Sequence, residues 1–333
     1  MSNPAHPELA NIEAAPVADT EEALEYDDHQ SSTASISSSI LEYRALHGRT
    51  YHSARHSVDY FTPNDGKQQE CLDLVHHYIT ILLDGKLYLA PIKEDAEKVI
   101  DIGTGTGIWA IDFADAHPET EVIGTDLSPM QPSWVPANLK FEIDDATQPW
   151  TYPDNTFDFV HTRFLFGAIA DWSALFQQAF RCTAPGGWLE TVEGDLRLQC
   201  DDGTVNAEPA LNKWSELFEE AGRKSGRSMK VVADGLQRRA METAGYVNIK
   251  SQVFKLPMGG WALDPKLAEV GRLVRAALEN DMEGYTYMLW HSVLAWPAEE
   301  YQPFLVNLKK AVRNRSVHSY LIMRVVYGQK PSA

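Results

Sequence analysis

The sequence predicts an α/β protein with a Rossmann-like, mostly parallel sheet that carries helices on both faces. Apolar strand segments alternate with helical segments through the middle of the chain. The first of these strands, 98–102, runs directly into a turn with three glycines, and the next strand, 122–126, ends in the carboxylate of Asp126. Alternation of this kind gives right-handed crossovers and places a ligand at the carboxyl ends of the strands.

The predicted core contains five strands, joined by helices or turns. A helix over 108–116 follows the first strand, and a helix over 172–182 leads through the Pro-Gly-Gly turn at 185–187 into the fifth. The strands are predicted, in chain order, at 98–102, 122–126, 139–143, 157–162 and 188–192.

The last third of the chain differs, because helices separate its two strands. Helices are predicted over 208–223, 232–244, 265–280 and 299–313, and strands over 247–256 and 319–327. Two late strands of this kind fit a hairpin added at the edge of the sheet, which then has seven strands. The helical insertion, roughly 200–230 and 260–315, is expected to roof the active site.

Two segments precede the core. Residues 1–39 are predicted to be a disordered tail, because the first 37 residues hold eight acidic side chains, no Lys or Arg, and the start of a serine run. Residues 40–95 form a lid segment, in which apolar residues at helical spacing predict a helix over 68–83. The domain that carries the site is placed at 96–333. Helices that precede the first strand of such a sheet commonly cover its ligand end.

The composition excludes several classes of protein. The chain has 333 residues and a formal net charge of −18, and it lacks the clustered Lys and Arg that nucleic-acid binding requires. No segment approaches the ~20 apolar residues of a membrane span. Cys71, Cys182 and Cys200 show no metal-ligand spacing and fit a reducing compartment. We therefore expect a cytoplasmic protein without a metal site.

The spacing of the glycines favours one nucleoside cofactor over another. Dinucleotide-binding turns read G-x-G-x-x-G and hold a diphosphate at a helix N-terminus. Here the glycines are Gly103, Gly105 and Gly107, and Ile108 stands where the third dinucleotide glycine would be. A G-x-G-x-G turn preceded by an acid suits S-adenosylmethionine better. Its carboxylate can meet the N–H groups of the turn, and its ammonium can be attracted by Asp101.

Four stretches of the sequence carry a resemblance to a known family. They are Y-R-A-L-H-G-R-T-Y-H at 43–52, L-D-G-K-L-Y-L-A-P-I at 83–92, V-I-D-I-G-T-G-T-G-I-W-A-I-D-F-A-D at 99–115, and the run from V-I-G-T-D-L-S-P-M-Q-P-S-W-V-P to the double aspartate at 122–146. The chain resembles a class I S-adenosylmethionine-dependent methyltransferase, and more narrowly the fungal LaeA-like group. The resemblance is strong over about residues 40–195 and loose beyond. It implies the class I methyltransferase fold and S-adenosyl-L-methionine as cofactor.

The resemblance also assigns residues to the methionine end of the cofactor. These residues are Asp101, Gly103, Gly105 and Gly107. His161, at the end of the fourth strand, is placed beside the sulfonium.

The nucleoside end is assigned to residues that follow the second and third strands. Asp126 takes the ribose hydroxyls, and Leu127 packs on the adenine face. Asp144 or Asp145 accepts from the adenine amino group, and Ala146 supplies a backbone N–H.

Methyl transfer asks for few catalytic groups, because the sulfonium carbon is already activated. The protein mainly has to position the acceptor and exclude water, and a general base matters only where the acceptor carries a proton. His161 is the first candidate base, since histidine titrates near neutral pH; alternatively, it is a hydrogen-bonded neighbour of the cofactor. Glu193, just past the fifth strand, is the second candidate, with a structural or substrate-positioning role as the alternative.

Other side chains have two interpretations each. Arg163 either holds a carboxylate or shapes the loop after the fourth strand. Tyr51 and His52 are candidates for closing the cofactor lid. An aromatic stretch late in the chain either lines an acceptor pocket or packs helices together; its members are Tyr285, Tyr287, Trp290, His291 and Trp296.

Three functions are compatible with these observations. The first is methylation of an O or N atom of a small secondary metabolite or peptide in a fungal biosynthetic pathway. The second is a LaeA-like regulator of secondary metabolism that acts through velvet-type protein partners, which would place it in the nucleus. The third is a non-methylating cyclase on a methyltransferase fold. No basic nuclear-import cluster is evident in the sequence, which favours the first.

Overall fold

The computed structural model describes residues 11–12, 43–52 and 60–332. Most of the predicted disordered tail and part of the predicted lid segment therefore lie outside the described residues. Within the described ranges, no helix combines the length and the apolar character needed to cross a membrane.

The N-terminal segment begins with a small hairpin. Strands β1 (Arg44–Leu46) and β2 (Arg49–Tyr51) pair in antiparallel orientation. The predicted lid helix follows as α1 (Gly66–Leu82). Asp65 caps this helix, since its side chain accepts a hydrogen bond from the N–H of Gln68. The hairpin and α1 together precede the first strand of the main sheet.

A seven-stranded sheet forms the centre of the molecule, which confirms the predicted fold class. Its strands are β3 (Lys98–Ile102), β4 (Glu121–Asp126), β5 (Leu139–Ile143), β6 (Phe157–Arg163), β7 (Thr183–Gln199), β8 (Val247–Pro257) and β9 (Tyr320–Gln329). Strands β3, β4, β5 and β6 pair only in parallel, β7 pairs in parallel with β6, and β9 runs antiparallel to both of its neighbours, β7 and β8. The order across the sheet is β5-β4-β3-β6-β7-β9-β8.

Helices cover the sheet and, in the last third of the chain, its ligand end. Beyond α1, the helices are α2 (Ile108–Ala116), α3 (Trp172–Cys182), α4 (Pro209–Ser225), α5 (Leu236–Ala244), α6 (Pro265–Asn280), α7 (Met282–Met288) and α8 (Ala298–Arg313). Helix α2 packs against β4 and β5, α3 packs against β7, α5 packs against β8 and β9, and α1 packs along α6. A 3₁₀ turn (Thr204–Ala207) and a π-helical segment (Leu289–Leu294) complete the described elements.

Four elements differ from the sequence prediction. The β1–β2 hairpin and α7 with its π-helical extension were not predicted, and β7 is much longer than its predicted 188–192. Helix α5 begins at Leu236 and not at residue 232. The cause is Gly235, whose φ of 63° is incompatible with helix continuation and ends a turn over the preceding residues.

Candidate functional site

A cleft with about 1350 Å³ of empty volume opens at the carboxyl ends of β3, β4 and β6. This is where the strand order reverses, and ligands of doubly wound sheets bind at such a point. Its walls come from the glycine turn after β3, the loops after β4, β5 and β6, and helix α1. The lining includes eight of the predicted site residues: Asp101, Gly103, Gly105, Asp126, Leu127, Asp144, Asp145 and Ala146.

The turn after β3 leaves no room for a side chain at two of its glycines. Gly103, Gly105 and Gly107 all have positive φ angles, of 70°, 61° and 80°, which glycine adopts without strain. A Cβ atom on Gly103 would lie 2.4 Å from Cδ2 of Leu165, and one on Gly107 would lie 2.3 Å from Cζ of Phe141. A ligand in the cleft therefore meets the backbone of this turn.

Asp101 is held in a fixed orientation where β3 ends. Its Oδ1 accepts a hydrogen bond from Nδ1 of His161 at 2.7 Å, and its Oδ2 accepts one from the Thr104 hydroxyl at 2.6 Å. His161 stacks on Trp109 with ring centroids 3.7 Å apart. Burial lowers the pKa of His161, so the ring is neutral at pH 7. Because a carboxylate only accepts, the ring proton sits on Nδ1.

The two predicted general bases, His161 and Glu193, are not among the residues that line the cleft. His161 is 1% exposed and lies behind Asp101. Glu193 lies fully buried on β7, where its two oxygens accept hydrogen bonds from the N–H groups of Leu165 and Phe166 at 2.8 and 3.1 Å. Glu193 thereby fixes the loop that follows β6, which is one wall of the cleft.

Asp126 lies at the end of β4 with both oxygens oriented by the backbone. Its Oδ2 accepts from the N–H of Gly105 at 2.9 Å, and its Oδ1 accepts from the N–H of Ser128 at 3.0 Å. Burial raises the pKa of Asp126 to about 6, while these hydrogen bonds act in the opposite direction. Each oxygen keeps a lone pair for a further donor, so two neighbouring hydroxyls of a ribose can be accepted together.

The loop after β5 is folded by its own side chains. Oδ1 of Asp144 accepts from the N–H of Asp145 at 2.9 Å, and Oδ1 of Asp145 accepts from the N–H and the hydroxyl of Thr147 at 3.0 and 2.6 Å. The carbonyl of Ala146 accepts from Nε1 of Trp150 at 3.1 Å. These bonds keep both carboxyl groups and Ala146 at the cleft surface, on the side away from Asp101.

Unpaired acceptors in the cleft allow a test of whether the predicted cofactor fits. The side-chain oxygens of Asn64 and Gln68 are buried and have no hydrogen-bond partner among the described residues. Asn64 donates to the Ser128 hydroxyl at 3.1 Å, which leaves its oxygen as an acceptor. Buried acceptors without partners are costly, and a ligand with ammonium and hydroxyl donors satisfies them. Together with the glycine turn and Asp126, they fit S-adenosylmethionine.

A second, apolar cavity adjoins the cleft under the helical roof. It has about 620 Å³ of empty space, counting the part that is open to solvent, and Asp195 is the one charged residue in its lining. Both oxygens of Asp195 accept from backbone N–H groups, those of Val232 and Ala233, at 2.9 Å each. The other lining residues are Val75, Tyr78, Phe164, Phe166, Gly194, Leu196, Trp214, Leu256, Met258, Val274, Ala277, Leu278, Tyr285, Leu321 and Ile322.

Four residues line both the cleft and the apolar cavity: Val75, Phe164, Phe166 and Tyr285. Two of them belong to the loop after β6, which packs over the glycine turn through Leu165. Phe164 has a φ of 54°, a strained conformation for an aromatic residue and one that clusters at functional sites. The two spaces therefore meet beside Asp101 and not at the Asp144–Asp145 end.

Residues of the aromatic stretch play different roles. Tyr285 lies at the border of the two spaces. Trp290 is 1% exposed and stacks on Phe304 with centroids 5.0 Å apart, and Tyr287 stacks on His47 at 4.5 Å. The packing interpretation therefore describes most of the stretch, and the pocket interpretation describes Tyr285.

The N-terminal hairpin reaches the cleft as well. His52 lines it, and Nε2 of His52 accepts from the N–H of Tyr60 at 3.3 Å. Arg49 donates through Nη1 to Oδ1 of Asp281 at 2.6 Å and through Nη2 to Oδ1 of Asp65 at 2.7 Å. Because Asp65 and Asp281 cap α1 and α7, Arg49 links the starts of two helices beside the cleft. Sequence reasoning missed this link, which joins residues 232 positions apart.

Comparison with known proteins agrees with the geometry. A methyltransferase domain family matches residues 74–251. Methyltransferase pytC of Aspergillus terreus is 38% identical over 305 residues, covering 91% of this chain and 93% of its own. The secondary metabolism regulator LAE1 of Cochliobolus heterostrophus is 30% identical and covers 85% and 94%. The protein-methionine methyltransferase laeA of Emericella nidulans is 30% identical and covers 87% and 77%.

Among solved structures, the phosphoethanolamine N-methyltransferase 2 of Haemonchus contortus covers 77% of this chain and 52% of its own, with 18% identity and a TM-score of 0.45. That likeness is too distant to bear on the acceptor. The family match and the curated relatives extend over most of the described chain. The chain therefore belongs to the methyltransferase domain family and is an S-adenosylmethionine-dependent methyltransferase.

Proposed function

We propose that this methyltransferase methylates an O or N atom of a small, largely apolar secondary metabolite in a fungal biosynthetic pathway. The apolar cavity beside the cleft is the observation that carries the proposal. Its lining of aromatic and aliphatic side chains suits the body of a small molecule. Its border with the cleft lies at the methionine end, beside Asp101, so an acceptor held there faces the transferable methyl group.

Similarity to known proteins supports a role in secondary metabolism. One relative, pytC, is named a methyltransferase, several others are named regulators of secondary metabolism, and one is named a protein-methionine methyltransferase. A folded protein acceptor fits this cavity poorly, because only a side chain could enter the space under the helical roof. We therefore favour a small-molecule acceptor over the regulatory alternative with its velvet-type partner.

The described residues act mainly by binding and excluding water. When bound, the cofactor supplies a methyl group activated by its sulfonium. Asp101 and Asp126 orient its two ends, and the hairpin with His52 covers the cleft. The lining of the cavity holds one carboxylate, that of Asp195, and each of its oxygens accepts one backbone N–H and keeps a lone pair. A general base is needed only where the acceptor keeps its proton until it attacks; an acceptor that loses its proton readily, such as a phenol or enol, or an amine in its neutral form needs none.

A pair of neighbouring alanines tests where the acceptor binds. Ala277 lines the cavity, whereas Ala276, the preceding residue of α6, is exposed. We expect Ala277→Met to raise the KM for the acceptor about tenfold or more, because the longer side chain takes up acceptor space. The affinity for S-adenosylhomocysteine should change less than about twofold in calorimetry. Ala276→Met is the matched control and should leave both unchanged.

The acceptor class is tested by methyl transfer to an extract of the organism that makes the protein. With methyl-labelled cofactor, label should enter the small organic-extractable fraction, with one equivalent of S-adenosylhomocysteine formed per methyl group. Label confined to protein would overturn the proposal in favour of a regulatory methyltransferase. Product without S-adenosylhomocysteine would instead indicate the cyclase.

We also propose a cytoplasmic location. It is supported by Cys71, Cys182 and Cys200, all of which are free thiols in the structure, as expected in a reducing compartment. Fractionation of the source cells with an antibody against the chain would test this, and a nuclear signal would favour the regulatory alternative.

A further inference from the structure

Arg163, the last residue of β6, lines the cofactor cleft without a carboxylate partner. Its one hydrogen bond within the described ranges runs from Nη1 to Nδ1 of His76 at 3.2 Å. It forms no salt bridge with any acid of those ranges, although Asp101, Asp73 and Asp112 are near enough to act on it electrostatically. A guanidinium has five N–H donors, so several remain for a ligand.

A hydrogen bond to His76 fixes the position of this guanidinium. Nε2 of His76 lies 2.9 Å from Oδ2 of Asp112, and Nδ1 faces Arg163. Because Asp112 can only accept and Arg163 can only donate, the ring proton sits on Nε2. Burial and the charge of Arg163 lower the pKa of His76 to about 4, so the ring stays neutral. The series Asp112–His76–Arg163 thus orients a cation toward the cleft.

Asp101 and Arg163 form a pair of opposite charges with space between them. They lie at the ends of adjacent parallel strands, where Ile102 pairs with Thr162. Both line the cleft, yet they do not form a salt bridge, and Asp101 is held by His161 and Thr104. Two opposite charges that face one cavity without touching are complementary to a zwitterion. An α-amino acid group, with ammonium and carboxylate on one carbon, is such a ligand.

We propose that Arg163 binds the carboxylate of the cofactor's methionine moiety while Asp101 receives the ammonium. The backbone of the glycine turn then supports the chain between the amino acid and the ribose. His76 is a positioning residue in this arrangement, since it contacts Arg163 and holds the guanidinium in place. The interaction is charge-assisted and partly buried, which places it among the stronger hydrogen bonds.

Two ligands that differ only at the amino acid end test the proposal. S-adenosylhomocysteine carries the carboxylate and ammonium, whereas 5′-methylthioadenosine is a nucleoside thioether without them. For Arg163→Gln we expect S-adenosylhomocysteine to bind about tenfold to a hundredfold more weakly in calorimetry, because a charged hydrogen bond is lost. 5′-Methylthioadenosine should bind within about twofold of the wild-type affinity. Thermal melting of each variant checks that it is folded.

Two further variants sharpen the result. Arg239→Gln removes an exposed arginine of α5 and should leave both affinities unchanged. His76→Phe should weaken S-adenosylhomocysteine more than 5′-methylthioadenosine, as expected when a correctly placed guanidinium is released. Equal weakening of both ligands by Arg163→Gln would overturn the proposal, because it would show a general effect on the cleft. Unchanged binding of both would also overturn it and would leave the guanidinium for the methyl acceptor.

Discussion

At the scale of single residues, His161 donates a hydrogen bond to Asp101 and does not line the cleft, which argues against a role as general base. Its Nδ1 is committed to Asp101, and its Nε2 is buried without a partner among the described residues. To serve as a general base it would have to receive a proton at a buried nitrogen, although burial already lowers its pKa. The geometry therefore favours a positioning role, and the catalytic role predicted from the sequence stays a prediction.

Two substitutions at His161 separate these roles. Asparagine can place an N–H donor near the position of Nδ1, whereas phenylalanine keeps the stacking on Trp109 but donates nothing. If His161 positions Asp101, His161→Asn should bind S-adenosylhomocysteine within about fivefold of wild type, and His161→Phe about tenfold or more weakly, because a buried carboxylate loses a partner. Calorimetry measures both. Intact binding with abolished turnover in His161→Asn would instead identify a general base.

The sequence reveals some of these residues and not others, for a physical reason. Asp101 lies near the end of the strand that runs into the glycine turn, and Asp126 ends the next strand, so local pattern alone predicts both at the ligand end of the sheet. The partner of Arg163, His76, lies 87 positions away, and no local pattern relates the two. A histidine on the apolar face of a helix does not by itself indicate a role in ligand binding. Its role depends on the packing of α1 over the end of β6.

At the scale of elements, β7 carries three buried acids that each fix a different loop. Glu190 accepts from the N–H groups of Leu89 and Ala90 at 2.8 and 2.6 Å. Glu193 fixes the loop after β6, and Asp195 fixes the turn before α5 in the same manner. In each of three loops, two neighbouring backbone N–H groups thus donate to a carboxyl group of β7. This explains why β7 is so acidic although it is buried.

The acids of β7 make stability depend on pH. Burial raises the pKa of Glu193 from 4.5 to about 8, while its backbone hydrogen bonds act against the shift. Between these values the folded protein holds a proton that the unfolded chain has released, so stability falls as the pH rises through this window. We expect the melting temperature of Glu193→Gln to fall less than that of wild type between about pH 5 and pH 9, since the glutamine has no proton to release.

Differential scanning fluorimetry at several pH values measures this difference. Glu269→Gln, an exposed acid on α6, should follow the wild-type profile. A Glu193→Gln profile parallel to wild type would show that the carboxyl group is already ionised in the folded protein at low pH. The backbone hydrogen bonds would then outweigh the cost of burial.

Helices and strands were predictable where the spacing of apolar residues and the positions of turn residues agreed. Strands β3, β4 and β6 are short, largely apolar runs, β5 alternates apolar and charged residues, and four of the late helices show helical spacing over many residues. Helix α7 and its π-helical extension are only seven and six residues long, too short for helical spacing to be evident in the sequence. The hairpin β1–β2 has only three residues per strand, too few for an alternation to show.

At the scale of the whole molecule, one arginine joins the N-terminal segment to the roof. Arg49 bridges Asp65 before α1 and Asp281 before α7. Asp281 is fully buried, and its other nearby cation, Lys67, is 3.8 Å away. Removing Arg49 would leave a buried carboxylate poorly compensated, which typically costs about 3–5 kcal/mol. The hairpin is therefore expected to close the cleft only while this bridge is intact.

A truncation and a point variant together test which part of the N-terminal segment matters to the site. Ile12 packs near Trp261 and Leu267, in a cluster that shares no residue with the cleft. Deleting residues 1–42 should therefore leave the affinity for S-adenosylhomocysteine within about twofold of wild type, even if some stability is lost. In that shortened chain, Arg49→Met should weaken binding about tenfold and lower the melting temperature, because the bridge to α1 and α7 is lost. A large loss of affinity from the deletion alone would place the tail within the cofactor site. Normal affinity in Arg49→Met would show that the hairpin closes the cleft without the bridge.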